Sequence, residues 1–249
     1  MLNYLEAIFE AETIDEVWAV HTKKMATYQF DRLLYAYTRF RTSTSMSDPQ
    51  DSIILSNHPA AYVEDFINDG HYLNGPMLRW SLENDGACSW SWLNDKDLVT
   101  TFTEGERKAL KFNHKMGVTA GYTIGFKSDS RRNRGGTGLT AREGLSQDDV
   151  DDIWARYGRE LLVMNNVMHL RIASLPYSSA RRNLTTRQRE VLEWVGEGKT
   201  MQDIATIMGL TSATVEKHLR LAREALDVDT TAQAVLKASY QNQIFILEA

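Results

Sequence analysis

Polar side chains that could contact DNA lie close together near the C-terminal end of the sequence. Lysine, arginine and hydroxyl groups bind phosphate oxygens, and a carboxylate such as that of Glu216 can accept a hydrogen bond from a cytosine amino group. Backbone N–H groups at residues 211–214, where a helix is predicted to begin, can also hold a phosphate. A solvated, charged helix face is the alternative. The candidate DNA contacts are Lys199, Thr200, Thr211, Ser212, Thr214, Glu216, Lys217, His218 and Arg220.

The sequence around these residues predicts a helix-turn-helix. Ala205 is small enough for two helices to pack closely, and Gly209 suits the left-handed backbone of a turn. Val215 lies on the inner face of the second helix, and Thr211 is a good N-cap for it. Motifs of this kind place the second helix in the DNA major groove. An ordinary helical hairpin with a glycine turn is the alternative for this segment alone.

A change of composition near Ser174 divides the chain. Segment 174–183 contains a proline and several serines, which is typical of a linker between domains. Residues 1–173 are therefore predicted to form one domain, and residues 184–249 an all-α domain of four helices. Besides the two helices of the helix-turn-helix, the predicted C-terminal helices are 186–197 and 231–242.

Helix and strand patterns alternate in the first domain. They predict an α+β fold, an α/β/α sandwich around a mostly antiparallel five-stranded sheet. Capping boxes at Thr13…Glu16 and Thr103…Glu106 indicate helix starts, and residues 131–138 are expected to form a turn or tip. The predicted strands are 32–41, 52–56, 87–90, 121–126 and 138–142, and the predicted helices are 14–29, 60–68, 76–83, 107–116 and 147–172.

The composition argues against several classes of function. No apolar run approaches the ~20 residues of a membrane span, and the first residues lack the pattern of a signal peptide, so we expect a cytoplasmic protein with no membrane partner. Cys88 is the single cysteine, which excludes a disulfide within one chain. The six histidines show no metal-binding spacing, and no glycine-rich phosphate loop is found. We expect no metal, no cofactor and no enzymatic activity.

Charge in the C-terminal domain is balanced. The net charge of the chain is −5, but nine basic and nine acidic residues follow residue 180. Because phosphate neutralisation drives non-specific DNA binding, one such domain should bind DNA modestly, and a homodimer would double the contacts. The apolar stripe of the predicted helix 147–172 is expected to join two copies, although part of it must also cover the sheet. Its residues are Ile153, Tyr157, Leu161, Met164 and Met168.

The C-terminal residues closely resemble the DNA-binding domain of LuxR-type quorum-sensing regulators. The first domain is similar to the autoinducer-binding domain of the same regulators in the order and spacing of its residues. This resemblance implies a transcription regulator that binds an N-acyl homoserine lactone and double-stranded operator DNA, with RNA polymerase as a further partner. The matching residues are Thr186-Arg187, Glu190-Val191-Leu192, Gly198-Lys199-Thr200, Ile204-Ala205, Thr214-Val215 and Lys217-His218-Leu219, with Gln188 in place of a frequent Glu.

The resemblance also implies a ligand pocket, in which the family uses a Trp for the lactone carbonyl and an Asp for the amide N–H. Here Tyr62 replaces that Trp and Gly75 replaces that Asp, while Asn74 could supply a carbonyl instead. Ordinary core packing is the alternative for the aromatic residues. The candidate ligand contacts are Tyr35, His58, Tyr62, Phe66, Asn74, Gly75, Pro76 and Trp90.

Replacement of the family's Asp by Gly75 leaves the signal open. A buried N–H without an acceptor costs about 1–3 kcal/mol. The alternatives to an acyl lactone are a regulator of the same family that responds to another compound, such as a pyrone or an aryl-type lactone, and one that acts without ligand. A third hypothesis is an interaction module that forms mixed dimers with a related regulator and seldom binds DNA by itself.

Overall fold

The structure, a computed structural model, describes residues 1–41, 51–68, 70–128, 130, 132–177 and 183–245. The chain divides into two units, Met1–Ala173 and Ser174–Ala249. Residues 178–182 of the predicted linker, Arg131 of the predicted tip and residues 246–249 of the predicted C-terminal domain lie outside the described residues.

The first unit is a five-stranded antiparallel sheet with helices, as the sequence predicts. The strand order is β2-β1-β5-β4-β3, and every neighbouring pair is antiparallel. The strands are β1 (Phe30–Thr38), β2 (Ser52–Ser56), β3 (Gly86–Ser89), β4 (Gly121–Gly125) and β5 (Arg134–Ala141). The helices are α1 (Leu2–Glu10), α2 (Ile14–Ala26), α3 (Ala60–Asn68), α4 (Pro76–Glu83), α5 (Lys96–Thr101), α6 (Glu104–Lys115) and α7 (Gln147–Ser174).

Local capping chemistry sets the starts of two of these helices. Thr13 accepts from the backbone N–H of Glu16, and Thr103 accepts from that of Glu106. Each glutamate returns a bond to the threonine backbone, so both predicted capping boxes are confirmed. Helices α1 and α5 were not predicted.

One face of the sheet packs against α7. Tyr122 of β4 stacks on Trp154 at 3.9 Å between ring centroids, and Phe126 stacks on His169 at 4.1 Å. We call this side, with Leu33, Tyr35, Tyr122, Ile124 and Leu139 of the strands, the packed face.

Strand alternation turns the intervening residues to the opposite side, which we call the open face. Its positions on the three central strands are Leu34, Ala36, Gly121, Thr123, Gly125, Gly136, Gly138 and Thr140. Four of these eight residues are glycines, so little side-chain volume covers the middle of this face. Helix α4 approaches it, because a Cβ on Gly136 would lie 3.1 Å from Cβ of Ser81.

Two strand predictions are wrong. Strand β5 begins at Arg134, within the segment expected to be a turn, because Gly135 and Gly136 pair with β1. A Cβ on Gly135 would lie 2.9 Å from the Tyr37 ring, so this glycine is required by close strand packing rather than by a turn. Strand β3 ends at Ser89, and Trp90 begins a 3₁₀ turn, Trp90–Asn94. The predicted alternation of Cys88, Trp90 and Trp92 therefore stops before Trp90.

The stripe predicted as a dimer contact faces mostly inward. Leu161, Met164 and Met168 are fully buried against the rest of their own unit, whereas Tyr157 is 44% exposed. The prediction is wrong for these three residues because the apolar stripe of a helix that covers a sheet packs against that sheet. The exposed apolar residues of α7 also include Val163 and Leu170, at 45% and 67% exposure.

The second unit has the four predicted helices, here α8 (Thr186–Gly196), α9 (Met201–Met208), α10 (Ser212–Leu226) and α11 (Thr231–Tyr240). Gly209 ends α9 with φ +64°, and the Thr211 side chain accepts from the Thr214 backbone N–H at the start of α10. The predicted glycine turn and the predicted threonine N-cap are both confirmed. The core of this unit includes Ile204, Ala205, Val215 and Leu219.

Candidate functional site

A cavity of about 410 Å³ lies between the open face of the sheet and helices α3, α4 and α6. This volume is within the range of small-molecule sites, about 300–1,000 Å³. The residues that line it include Leu34, Ala36, Ile54, His58, Tyr62, Phe66, Gly75, Pro76, Ser81, Trp90, Leu110, Asn113, Thr123, Arg134, Gly138, Thr140 and Gln147.

Stacked rings form one wall of this cavity. Tyr62 and Phe66 lie one turn apart on α3, so their rings share a face and stack at 5.1 Å. His58 stacks on the other side of Tyr62 at 4.4 Å, and Phe112 of α6 contacts Tyr62 at 5.5 Å. The result is a rigid apolar surface on which a flat or chain-like ligand can lie.

Trp90 lies across the cavity end of β4 and β5. Its indole Nε1 donates to Oγ1 of Thr123 at 2.9 Å. A Cβ on Gly121 would lie 3.0 Å from the Trp90 ring and 2.2 Å from the Leu139 carbonyl oxygen, so only glycine fits beneath the indole. The Trp90–Gly121 pair therefore fixes one end of the site.

Two polar groups of the cavity wall, His58 and Tyr62, are neutral. Burial and the nearby Arg32 lower the pKa of His58 to about 4, so its ring is uncharged at neutral pH. Its Nε2 lies 3.5 Å from Oγ1 of Thr140, and its Nδ1 is buried without a partner. Burial raises the pKa of Tyr62, whose hydroxyl donates to Oδ1 of Asn113 at 3.0 Å.

Two predicted ligand contacts lie elsewhere. Tyr35 belongs to the packed face, where its hydroxyl is bonded to Nδ1 of His169 at 2.9 Å; its prediction as a cavity residue is wrong because alternation turns it away. Asn74 is exposed and donates from Nδ2 to the Gly70 carbonyl at 3.0 Å. Its Oδ1 would lie 2.5 Å from a Cβ on Gly105 in α6, so it packs on that helix instead of replacing the missing carboxylate.

The other predicted ligand contacts, His58, Tyr62, Phe66, Gly75, Pro76 and Trp90, all line the cavity. The sequence interpretation missed Asn113, Thr123, Gly138 and Thr140. Period-two alternation along β4 and β5 places the last three on one face with Gly121 and was the available signal. Asn113 is 51 residues from its partner Tyr62, and no local pattern links them.

The predicted DNA contacts form part of the second unit's surface. Lys199 and Lys217 are exposed and form no ion pair within the described residues, whereas His218 and Thr214 are half-buried. Thr200 and Thr211 cap helices α9 and α10 with their side chains.

Two predicted contacts are already paired within the helix. The Glu216 carboxylate accepts from Arg223 at 3.1 Å, and Arg220 pairs with Glu224 one turn away. Ser212 is exposed at the first turn of α10, next to the backbone N–H groups that a helix start leaves free. Among the predicted DNA contacts that the structure describes, Lys199 and Lys217 are therefore the positive charges without a carboxylate partner.

The part of the chain that the structure describes has neither a membrane-spanning helix nor a metal site. None of its helices is both long and apolar enough to cross a membrane. No three His, Cys, Asp or Glu side chains within it are arranged to hold a metal ion.

Comparison with known families matches both units. The model of the autoinducer binding domain matches residues 13–172, and that of bacterial regulatory proteins of the luxR family matches residues 182–238. The chain belongs to the LuxR-type transcription regulators. Proteins of this type join a domain for a small signal to a DNA-binding helix-turn-helix, and the two units described above are these domains.

Similar proteins extend over nearly the whole chain. The transcriptional activator AnoR of Acinetobacter nosocomialis is 26% identical over 241 residues, which are 95% of each chain. The activator LuxR of Aliivibrio fischeri is 23% identical, over 96% of this chain and 90% of its own.

Two solved structures share the fold. Escherichia coli SdiA has a TM-score of 0.54 and 18% identity, over 97% of this chain and 96% of its own. CepR2 of Burkholderia cenocepacia, described as an N-acylhomoserine lactone dependent transcription factor, has a TM-score of 0.52 and 17% identity, over 69% of this chain and 94% of its own.

Proposed function

We propose that a small amphipathic signal binds in the cavity of the first unit and controls operator binding by the second. The observation that carries this proposal is the cavity itself, which lies over the glycine-rich open face and is walled by the Tyr62 stack. A ligand that fills such a space stabilises the fold by mass action and biases the protein toward the liganded state. The protein acts as a regulator in the cytoplasm and not as an enzyme.

N-acyl homoserine lactones are the first signals to test, because the family match and the description of CepR2 support that class. A second candidate is a signal of another chemistry within the same regulatory role. Two observations favour it: Gly75 brings no side chain to the cavity, and Asn74 is engaged with Gly70.

We further propose that the active form is a homodimer on a roughly two-fold symmetric operator, with RNA polymerase as a later partner. Val163 and Leu170 support it, since they leave apolar surface exposed on α7. Replacing both with Glu should convert a dimer into a monomer in sedimentation, whereas Val99→Glu, at a site of similar exposure on α5, should not. A double variant that stays dimeric would contradict this contact.

Operator selection from random DNA, with and without candidate signals, tests the proposed role. Purified full-length protein should enrich a two-fold symmetric sequence and bind it with strong salt dependence. Recovery of no sequence under any condition would instead support the mixed-dimer module.

Lys217→Ala should weaken operator binding and lower the salt slope by about one, because a phosphate contact releases about one counterion. Lys111→Ala, an exposed lysine of the first unit, is the matched control and should leave binding unchanged. Equal effects of the two substitutions on a gel-shift titration would remove Lys217 from the proposed interface.

A further inference from the structure

Asn113 enters the cavity mainly as a hydrogen-bond donor. The Tyr62 hydroxyl donates to its Oδ1 at 3.0 Å, which uses one of the two lone pairs of the side-chain acceptor. Within the described residues the amide nitrogen has no protein partner. Both N–H groups of the Asn113 side chain therefore remain to donate to a ligand.

Thr123 is left as a donor by the same kind of contact. An indole N–H can only donate, so the 2.9 Å bond from Nε1 of Trp90 makes the Thr123 oxygen an acceptor. The hydroxyl proton of Thr123 must then point elsewhere. Thr123 lies on the open face opposite Gly138, which has no side chain to accept that proton.

His58 and Thr140 supply one further donor in either tautomer of the imidazole. If His58 Nε2 accepts from the Thr140 hydroxyl, its Nδ1 carries the hydrogen and is a donor; if Nε2 donates, the Thr140 hydroxyl proton is free and Nδ1 is an acceptor. His58 is 8% exposed and its Nδ1 has no partner in the described structure. A buried polar atom without a partner is costly, so a ligand atom is the natural partner here.

No charged side chain among the described residues that line the cavity can accept a hydrogen bond from a ligand. Among the described residues that line it there is no Asp or Glu. Arg134 lines it, but its Nε donates to the Leu82 carbonyl at 2.8 Å and its Nη1 to Asp85 at 3.0 Å, so this guanidinium is already engaged.

We propose that this cavity recognises the polar end of its signal through hydrogen-bond donors. The signal is a neutral acyl ester or ketone whose carbonyl groups accept hydrogen bonds from Asn113, Thr123 and the His58–Thr140 pair. An amide in the same place would bring an N–H into a wall that offers it no carboxylate. The proposal rests on the proposed function, because it assumes that the cavity is the signal site.

Gly75 allows a direct test of this preference. Its φ of −73° suits any residue, and a Cβ there would make only ordinary contacts, the nearest at 3.8 Å. Gly75 is also the N-cap of α4 and provides no side-chain bond to that helix, so Gly75→Asp should fold well. The substitution adds a carboxylate at the cavity wall without removing any group.

The probes are N-octanoyl homoserine lactone and its ester isostere, in which oxygen replaces the amide N–H. Calorimetry with full-length wild-type protein should show the ester binding about tenfold tighter, because the amide N–H loses its water and the described lining has no carboxylate to accept from it. In Gly75→Asp the order should reverse, with the amide favoured by about tenfold.

Equal binding of the two probes, or preference of the wild-type chain for the amide, would overturn the inference. Loss of an amide preference in His58→Phe would then identify the imidazole as the acceptor. If the wild-type chain binds neither probe, the inference is also overturned, and the proposed function survives only if another neutral amphiphile binds in the cavity.

A pair of threonines separates recognition from stability. Thr123→Val should weaken ester binding about tenfold by removing one donor. Thr22→Val is the control, because Thr22 is half-buried on α2, does not line the cavity and has a hydroxyl that donates only to backbone carbonyls of its own helix. Ester affinity should stay within twofold in the control, and an unchanged affinity in Thr123→Val would contradict donor recognition.

Discussion

On the packed face of the sheet large side chains fill the space, whereas on the open face glycines leave it empty. Leu33 and Tyr35 of β1 are fully buried against the α7 side. Between them Leu34 points to the cavity, and Gly138 stands opposite it on β5. One strand thus contributes to a close-packed core on one side and to a ligand site on the other. The stability of the fold and its capacity to bind can therefore be changed separately.

Acid should have the largest effect on this arrangement. Burial lowers the pKa of His21, His58 and His169 to about 4 each, helped by Arg32 at His58 and by Arg39 at His169. The unfolded chain binds these protons at its ordinary pKa of about 6.5, so it holds more protons than the folded chain between about pH 6.5 and 4.

Stability should therefore be complete above pH 6.5 and fall as the pH drops toward 4, by roughly 3 kcal/mol for each histidine. Urea unfolding at several pH values measures this fall. His58→Phe removes the one of these three histidines that lines the cavity and should reduce the fall by about a third, leaving His21 and His169. A flat profile between pH 6.5 and 4 would contradict the burial of these rings.

Two adjacent leucines should differ strongly in what their truncation costs. Leu33→Ala should lower the free energy of unfolding by about 2–5 kcal/mol, since it leaves a void in close packing. Leu34→Ala should cost less than half as much, because that side chain already borders a cavity. Denaturant titration of the full chain measures both losses, and equal losses would mean that the two faces are packed alike.

Two glycines of β5 give a smaller but sharper contrast. A Cβ on Gly136 would lie 2.9 Å from the Ile124 carbonyl oxygen, whereas one on Gly138 would have nothing closer than 3.9 Å. Gly136→Ala should destabilise by about 1–3 kcal/mol, and Gly138→Ala should be neutral or stabilise by up to about 1 kcal/mol. Thermal melting of both variants tests this, and the opposite order would place the open space elsewhere.

The two units also differ in how far the sequence predicts them. In the second unit the turn depends on local chemistry, and both Gly209 and Thr211 adopt the predicted roles. In the first unit, alternation along β1 indicates that Tyr35 and Leu34 point to opposite sides, but not which side is hollow. Which side is hollow depends on how α4, α6 and α7 pack, and the sequence of the strand does not determine this packing.

Other features of the site also depend on distant contacts. The glycines of β5 resemble a turn in the sequence, and only their pairing with β1 and β4 explains them. Asn113 lines the cavity and accepts a hydrogen bond from the Tyr62 hydroxyl. Asn74 lies outside the cavity because it packs against Gly105 of α6. The family resemblance located six residues of the cavity wall, but the hydrogen bonds of Asn113 and Thr123 required the structure.

The most direct test compares wild-type protein with Gly138→Val by thermal melting, with and without a panel of neutral acyl lactones, esters and ketones. The valine side chain would occupy the open face beside Trp90, where the nearest ring atom is 3.9 Å from the Cβ position. We predict that at least one ligand raises the wild-type melting temperature by several degrees and leaves that of Gly138→Val, which melts normally without ligand, unchanged. Equal shifts in both proteins, or none in the wild type, would contradict a signal site on the open face.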